Sequence, residues 1–219
     1  MVLQKQADVI LQDTGIVEIL RSFGTSFLHG SYDLDLMVWP ELDIAVEIPE
    51  LDHHTPYELM AALSRVVTPT VAMVVDQFGQ ESLFPMRVDD SILVDFRFIH
   101  AGVEWKLDLT LLAEHGEWSA SVYNNQIKQR LTPETRRIIA SIKDLAVQSG
   151  CYRRSRWAFT AAEDAFCTHD IYKAVFECGV TNYEQFASYL KLERDIDLVG
   201  ENSPGDEDPP IWSNFSIIT

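Results

Sequence analysis

Positive charge is scarce in this chain: 17 Lys plus Arg stand against 34 Asp plus Glu, a formal net charge of −17 at pH 7. A surface so acidic repels phosphate backbones and anionic lipid, which argues against general nucleic-acid binding and against a membrane role. Cysteine is rare too. Cys151, Cys167 and Cys178 form no Cys-x-x-Cys pair and are odd in number, so neither a disulfide framework nor a paired zinc site is expected. The chain starts Met-Val-Leu-Gln-Lys-Gln-Ala-Asp with no apolar leader, so the thiols are expected to be buried and reduced in a cytoplasm. No uncharged apolar run approaches the roughly 20 residues of a membrane helix. The signatures G-x-x-x-x-G-K-[ST], G-x-G-x-x-G and H-E-x-x-H are all missing, which removes the P-loop, dinucleotide and zincin readings. His53-His54 read as polar loop residues rather than metal ligands.

What is there is globular. Of 219 residues 47% are hydrophobic and 11% aromatic, enough for one large domain or two small ones with a real core. Apolar residues at Val9, Ile10, Ile16, Val17, Ile19 and Leu20 predict helix over 2–22, broken near Asp13-Thr14-Gly15. A short strand over 26–29 ends at Gly30-Ser31. A second, over 42–48, lies between Pro40 and Pro49. Thr55-Pro56 opens a helix to about Val67, with Thr55 as N-cap. Three more strands are predicted over 70–78, 91–99 and 103–112. The last two meet at His100-Ala101-Gly102 and should form an antiparallel hairpin. Within 103–112, Glu104, Lys106, Asp108 and Thr110 alternate with apolar residues, which puts Asp108 on a polar face.

From Trp118 the pattern turns helical, with helices predicted from Pro133, over about 157–178 and over about 182–192. After Arg194 the chain holds Asp195, Asp197, Glu201, Asp206, Glu207 and Asp208 and no basic residue, and with Ser203-Pro204-Gly205 and Pro209-Pro210 it reads as a solvated, mobile tail. The expected architecture is α+β: a mixed or antiparallel sheet domain over 1–115, a helical part over 116–194 and an acidic tail over 195–219.

One constellation carries chemistry. Gly30-Ser31 closes the first strand, eleven residues intervene, Asp43-Ile44 sit within the second strand, and Leu107-Asp108-Leu109 lie within the last. This arrangement resembles the nucleotidyltransferase superfamily of polymerase-beta-like fold, over residues 26–112. The stretch from Tyr32 through Leu36-Met37-Val38-Trp39, and Asp170-Ile171-Tyr172-Lys173-Ala174-Val175, look more narrowly like the nucleotidyltransferase-like proteins of bacteria. The resemblance implies that Gly30 and Ser31 bind the nucleotide, that Asp43 and Asp108 hold Mg²⁺ and are catalytic, and that the helical remainder completes the cleft.

The physical logic stands beside it. Gly30 has no Cβ and lets a phosphate approach the backbone. Ser31 offers a hydroxyl, and a helix over 31–36 would present N–H groups to an anion. Carboxylates on neighbouring strands suit Mg²⁺, a hard ion that prefers oxygen. Such ions can clamp the attacking and leaving oxygens of an in-line displacement at phosphorus.

One position departs from the family pattern. Its second carboxylate, two residues after Asp43, is Ala45 here. Glu47 is a poor substitute, since four residues along a strand place its Cα about 13 Å from that of Asp43. Asp33, Asp35 and Asp95 are the other acidic groups available to join an Asp43–Asp108 pair. Asp108 has a simpler reading as well, as a partner for Lys106 or Arg97. Eight of the 17 basic residues cluster at Lys128, Arg130, Arg136, Arg137, Lys143, Arg153, Arg154 and Arg156, a candidate positive wall against a triphosphate.

The function expected is Mg²⁺-dependent transfer of a nucleotidyl group from a nucleoside triphosphate to a hydroxyl of a small molecule or protein, the acidic balance suiting a cationic acceptor. Ala45 motivates a rival: a degenerate module that binds a nucleotide or a protein without turnover. A pyrophosphokinase-like transfer is the third reading.

Overall fold

The computed structural model describes residues 2–76, 91–114, 119–148 and 166–198. The chain divides into two compact units, Met1–Thr132 and Pro133–Thr219. The first is a five-stranded sheet with helices, the second a helical unit.

In the first unit α1 (Val2–Asp13) and α2 (Ile16–Phe23) replace the single broken helix that the periodicity predicts. Thr14 makes the break: its hydroxyl donates to the Ile10 carbonyl at 2.6 Å and accepts from the Ile16 N–H at 3.3 Å. β1 (Thr25–Leu28) leads into a single turn of helix, α3 (Gly30–Asp33), and then into β2 (Glu41–Glu47). The turn is shorter than the helix expected over 31–36, because Asp35 adopts a left-handed φ of 55° that ends it. α4 (Thr55–Leu63) is capped by Asp52 rather than Thr55: one Asp52 oxygen accepts from the backbone N–H groups of His54 and Thr55 and from the Thr55 hydroxyl. β3 (Pro69–Asp76), β4 (Ser91–His100), β5 (Val103–Leu112) and α5 (Ser119–Arg130) complete the unit. The predicted end of β3 at residues 77 and 78 lies outside the described residues.

The strand order is β1-β2-β5-β4-β3. β4 and β5 form the expected antiparallel hairpin, while β2 and β5 run parallel at the centre. Alternation then decides everything about the two faces. Leu42, Ile44 and Val46 of β2, Leu107, Leu109 and Leu111 of β5, and Ile92, Val94, Phe96 and Phe98 of β4 pack into one core with Ala7, Ile10, Ile16 and Leu20 of α1 and α2 and Leu59 and Leu63 of α4. Truncating one of these fully buried Leu or Ile side chains to Ala costs about 2–5 kcal/mol, enough to hold the register firmly. The residues between them (Glu41, Asp43, Lys106, Asp108, Asp95, Arg97) are thereby committed to the opposite face.

The second unit contains α6 (Pro133–Gln148), α7 (Thr168–Cys178) and α8 (Tyr183–Arg194). Ile139, Ile142, Ile171, Ala174, Phe186 and Leu190 are fully buried. Asp170 caps α7 by accepting from the Cys167 N–H at 2.9 Å, and Arg194 donates to its other oxygen at 2.5 Å, which ties α8 to α7. The start of the helix expected over 157–178, and the tail from 199 onward, lie outside the described residues. Cys167 and Cys178 are free thiols, but exposed rather than buried, because they occupy the two ends of α7; Cys151 is outside the described residues. No helix among the described residues is long and apolar enough to cross a membrane.

Candidate active site

The central parallel ladder sets Asp43 of β2 directly opposite Asp108 of β5, and the antiparallel β4–β5 ladder sets Asp95 opposite Asp108. One row of the sheet therefore carries three carboxylates on three adjacent strands. The neighbouring row, two residues along, reads Glu41, Lys106, Arg97. Strands about 4.8 Å apart bring such groups within reach of one another. Like charges placed directly opposite are unfavourable, so two cations beside three carboxylates offset part of their repulsion.

Each cation has a defined task. Arg97 grips Asp95 with two bonds, Nε to Oδ1 at 2.8 Å and Nη2 to Oδ2 at 2.6 Å, and both residues are buried. That hydrogen-bonded pairing with Asp95 holds the guanidinium above its ordinary pKa against the effect of burial. Lys106 bridges the other two strands: its ammonium lies 2.6 Å from Asp108 Oδ2 and 2.8 Å from Glu41 Oε1. Burial works against the Lys106 charge, but the Asp108 and Glu41 carboxylates outweigh it and keep the lysine above its usual value. Burial pushes the Asp108 carboxyl above the normal carboxylate range; Lys106 opposes that rise and Glu41 adds to it. The partner of Asp108 is thus Lys106 and not Arg97.

Glu41, Asp43 and Asp108 form a group whose nearest carboxylate oxygens all lie within 4.8 Å of one another. Oxygens bound to one Mg²⁺ at about 2.1 Å lie about 3–4 Å apart, so a small side-chain adjustment gathers this set around an ion. The donors are all carboxylate oxygens, the choice of a hard divalent cation. The set suits such a metal ion.

The turn after β1 frames it. The His29 N–H donates to the Asp43 carbonyl at 2.9 Å and extends the β1–β2 pairing up to the start of α3. Gly30 follows at φ 58°, and a Cβ there would overlap the Asp43 carboxylate, so only glycine lets the turn close against that side chain. Ser31 is 93% buried in the same turn, whereas Asp35, at the end of it, is exposed. Asp33 is engaged from α5, accepting from Asn124 Nδ2 at 2.8 Å and from Lys128 Nζ at 2.6 Å. Tyr32 donates its hydroxyl to Asp8 of α1 at 2.8 Å.

The residues singled out from sequence are therefore placed as follows. Gly30 lies against the Asp43 carboxylate, and Asp43, near the start of β2, faces Asp108, midway along β5, with Ser31 in the adjoining turn. Ala45 is fully buried and Glu47 lies further along β2, opposite Leu112. Of the basic cluster, Lys128 engages Asp33, Lys143 is fully buried in the second unit, and Arg153, Arg154 and Arg156 are outside the described residues. Sequence reasoning missed Glu41. The signal was present: Glu41-Leu42-Asp43 is acidic-apolar-acidic at strand period, read two residues before Asp43 instead of two after. Trp39 fixes its carboxylate, with Nε1 2.5 Å from Oε2.

No known family of sequences matches the chain, and no curated protein does. Solved structures do. The chain is similar to GLD-2 in its complex with RNP-8, at TM-score 0.53 and 12% identity over 94% of this chain and 64% of that one. A cytoplasmic RNA terminal U-transferase matches at TM-score 0.50 and 7% identity, over 79% and 47%. A poly(A) polymerase complex, GLD-2 with GLD-3, matches at 0.44 and 13%, over 82% and 55%. The chain shares its fold with the first two of these structures, a nucleotidyltransferase-like α+β fold. As a nucleotidyltransferase fold, the chain spans between 47% and 64% of the length of these solved chains.

Proposed function

We propose that this nucleotidyltransferase fold transfers a nucleotidyl group from an Mg²⁺-bound nucleoside triphosphate to an acceptor hydroxyl. The observation that carries this reading is the convergence of Glu41, Asp43 and Asp108. These three would hold the metal, with Gly30 letting the turn after β1 close against the Asp43 carboxylate and hold it in place. The bound ion would supply charge neutralisation at the α-phosphate and lower the pKa of the attacking hydroxyl. Glu41 stays aimed at the site through Trp39, and Asp108 through Lys106. Ser31 is buried in the same turn, where its carbonyl accepts from the Leu36 N–H at 2.8 Å and holds the path of the chain past Gly30.

The rival reading, binding without turnover, was motivated by the missing carboxylate at Ala45. Glu41 supplies a third carboxylate from the same strand face, so that motive weakens. The acceptor is the open term. The solved structures of similar fold include an RNA terminal U-transferase. This chain carries a formal charge of −17, which opposes a long RNA grip and suits a small or cationic acceptor better.

The test is label transfer from each α-labelled nucleoside triphosphate with Mg²⁺, offering a short RNA with a free 3′ end, polyamine and aminosugar alcohols, and the protein itself. Label on one acceptor with release of pyrophosphate, lost in Asp43→Asn, supports the proposal. Nucleotide binding with no labelled product and no pyrophosphate on any acceptor supports the rival. Release of labelled nucleoside monophosphate, with unlabelled pyrophosphate carried onto the acceptor, supports the pyrophosphokinase reading.

A further inference from the structure

Lys106 occupies the place a cation would take. Its ammonium contacts Asp108 Oδ2 and Glu41 Oε1, two of the three residues in the carboxylate group. The Trp39 indole engages Oε2 of Glu41 while the lysine holds Oε1. Lys106 reaches this position from β5, where its Cα stands opposite Glu41, and its side chain is 17% exposed. A divalent ion using the same oxygens would stand within a few ångströms of a fixed positive charge, in a place where water screens poorly.

We propose that Lys106 is a resident counter-ion that competes with the divalent cation for Glu41 and Asp108, so that loading the metal displaces its ammonium. The inference rests on the metal-centre reading above and deepens it. Without metal, Lys106 relieves the repulsion among Glu41, Asp43 and Asp108 and keeps the strand end ordered. With metal, the ammonium moves off the carboxylate oxygens. Lys106 thereby weakens metal binding while stabilising the metal-free fold, which is the opposite of what a mere supporting residue does. A support, once removed, loosens the carboxylates and lowers metal affinity.

The experiment is Mn²⁺ titration of the full chain by electron paramagnetic resonance, comparing the wild type with Lys106→Met, Lys106→Gln and Asp43→Asn. The expected result is Mn²⁺ bound at least tenfold more tightly by both Lys106 variants, with a lower melting temperature in the absence of metal. Equal or weaker binding by the Lys106 variants, with the wild type and its Asp43→Asn loss behaving as a metal centre, overturns the proposal alone. Absence of Mn²⁺ binding in the wild type and every variant overturns the metal-centre reading and this inference together. A second measurement needs no neutral variant: wild-type protein carrying ¹³Cε-labelled lysine is titrated with Mg²⁺, its Lys106 signal identified by its loss in Lys106→Arg. That signal is expected to shift in step with calorimetric binding. A signal that stays still while Mg²⁺ binds contradicts displacement.

Discussion

Asp43 and Asp108 stand directly opposite each other on two parallel strands, with α4, β3 and β4 lying between them in the chain among the described residues. Two carboxylates so placed repel each other in the metal-free protein, and the sheet keeps them there because the alternate residues, Leu42, Ile44, Leu107 and Leu109, are buried in the core behind them. The structure thus spends core stability on an unfavourable charge arrangement, a common mark of a functional site. Several consequences can be measured.

Gly30→Ala should damage the site more than the fold. The new Cβ overlaps the Asp43 carboxylate, and the position has φ 58°. A left-handed non-glycine residue costs about 1–3 kcal/mol. Urea unfolding with and without Mg²⁺ should show a loss in that range and no stabilisation by the metal. Unchanged stability with an unchanged metal response would count against the placement of Gly30.

Ala45→Asp should not create activity. Ala45 is fully buried, so the substitution puts an unpaired carboxylate where water cannot reach it, at a cost of about 3 kcal/mol or more. Denaturant unfolding should register that loss, and label transfer should fall or stay flat. A rise in transfer would restore the degenerate reading.

Asp108→Asn should leave the metal-free protein as stable as the wild type or more so. Burial holds the ionised Asp108 at a disadvantage, only part of which Lys106 offsets. Differential scanning without metal should show an equal or higher melting temperature, and addition of Mg²⁺ should no longer raise it. A clear drop in the metal-free melting temperature would mean that Asp108 serves the fold rather than the site.

Tyr32 gives a pH signature. Burial, together with its hydrogen bond to Asp8, pushes the phenol up to about 12 from 10.0. A group whose pKa is raised on folding contributes stability that is complete below its unfolded pKa and vanishes as pH climbs through the folded one. The α1–α3 tie is therefore intact at neutral pH and fades between about pH 10 and 12. Relative to the wild type, Tyr32→Phe should be slightly less stable at pH 8, and the difference should disappear by pH 12. A difference that persists above pH 12 would show that packing rather than the hydroxyl is responsible.

Much of the fold was legible because alternation and turn chemistry are local. The β4–β5 hairpin follows from His100-Ala101-Gly102 and the alternation over 103–112, and α1 and α2 follow from their apolar spacing. The parallel β2–β5 pairing leaves no such trace, since its register is set by a crossover and a shared core. Spacing from Gly30-Ser31 singles out Asp43 and Asp108 as candidates. Glu41 escaped because the acidic-apolar-acidic triplet was counted forward from Asp43, onto buried Ala45, although strand period allows it equally well backward. Lys106 was visible as a partner for Asp108. Its second contact, to Glu41, depends on the cross-strand register and could not be read from sequence.

The most direct test of the account is calorimetric titration of Mg²⁺, with a non-hydrolysable nucleoside triphosphate present, into wild type, Glu41→Gln and Glu47→Gln. Glu41 shares the ligand group with Asp43 and Asp108 while Glu47 sits beyond it on the same strand face. The account predicts wild-type binding in Glu47→Gln and a loss of affinity of about a hundredfold or more in Glu41→Gln, on the order expected when a ligand rather than its support is removed. Wild-type affinity in Glu41→Gln, or a loss confined to Glu47→Gln, would contradict it.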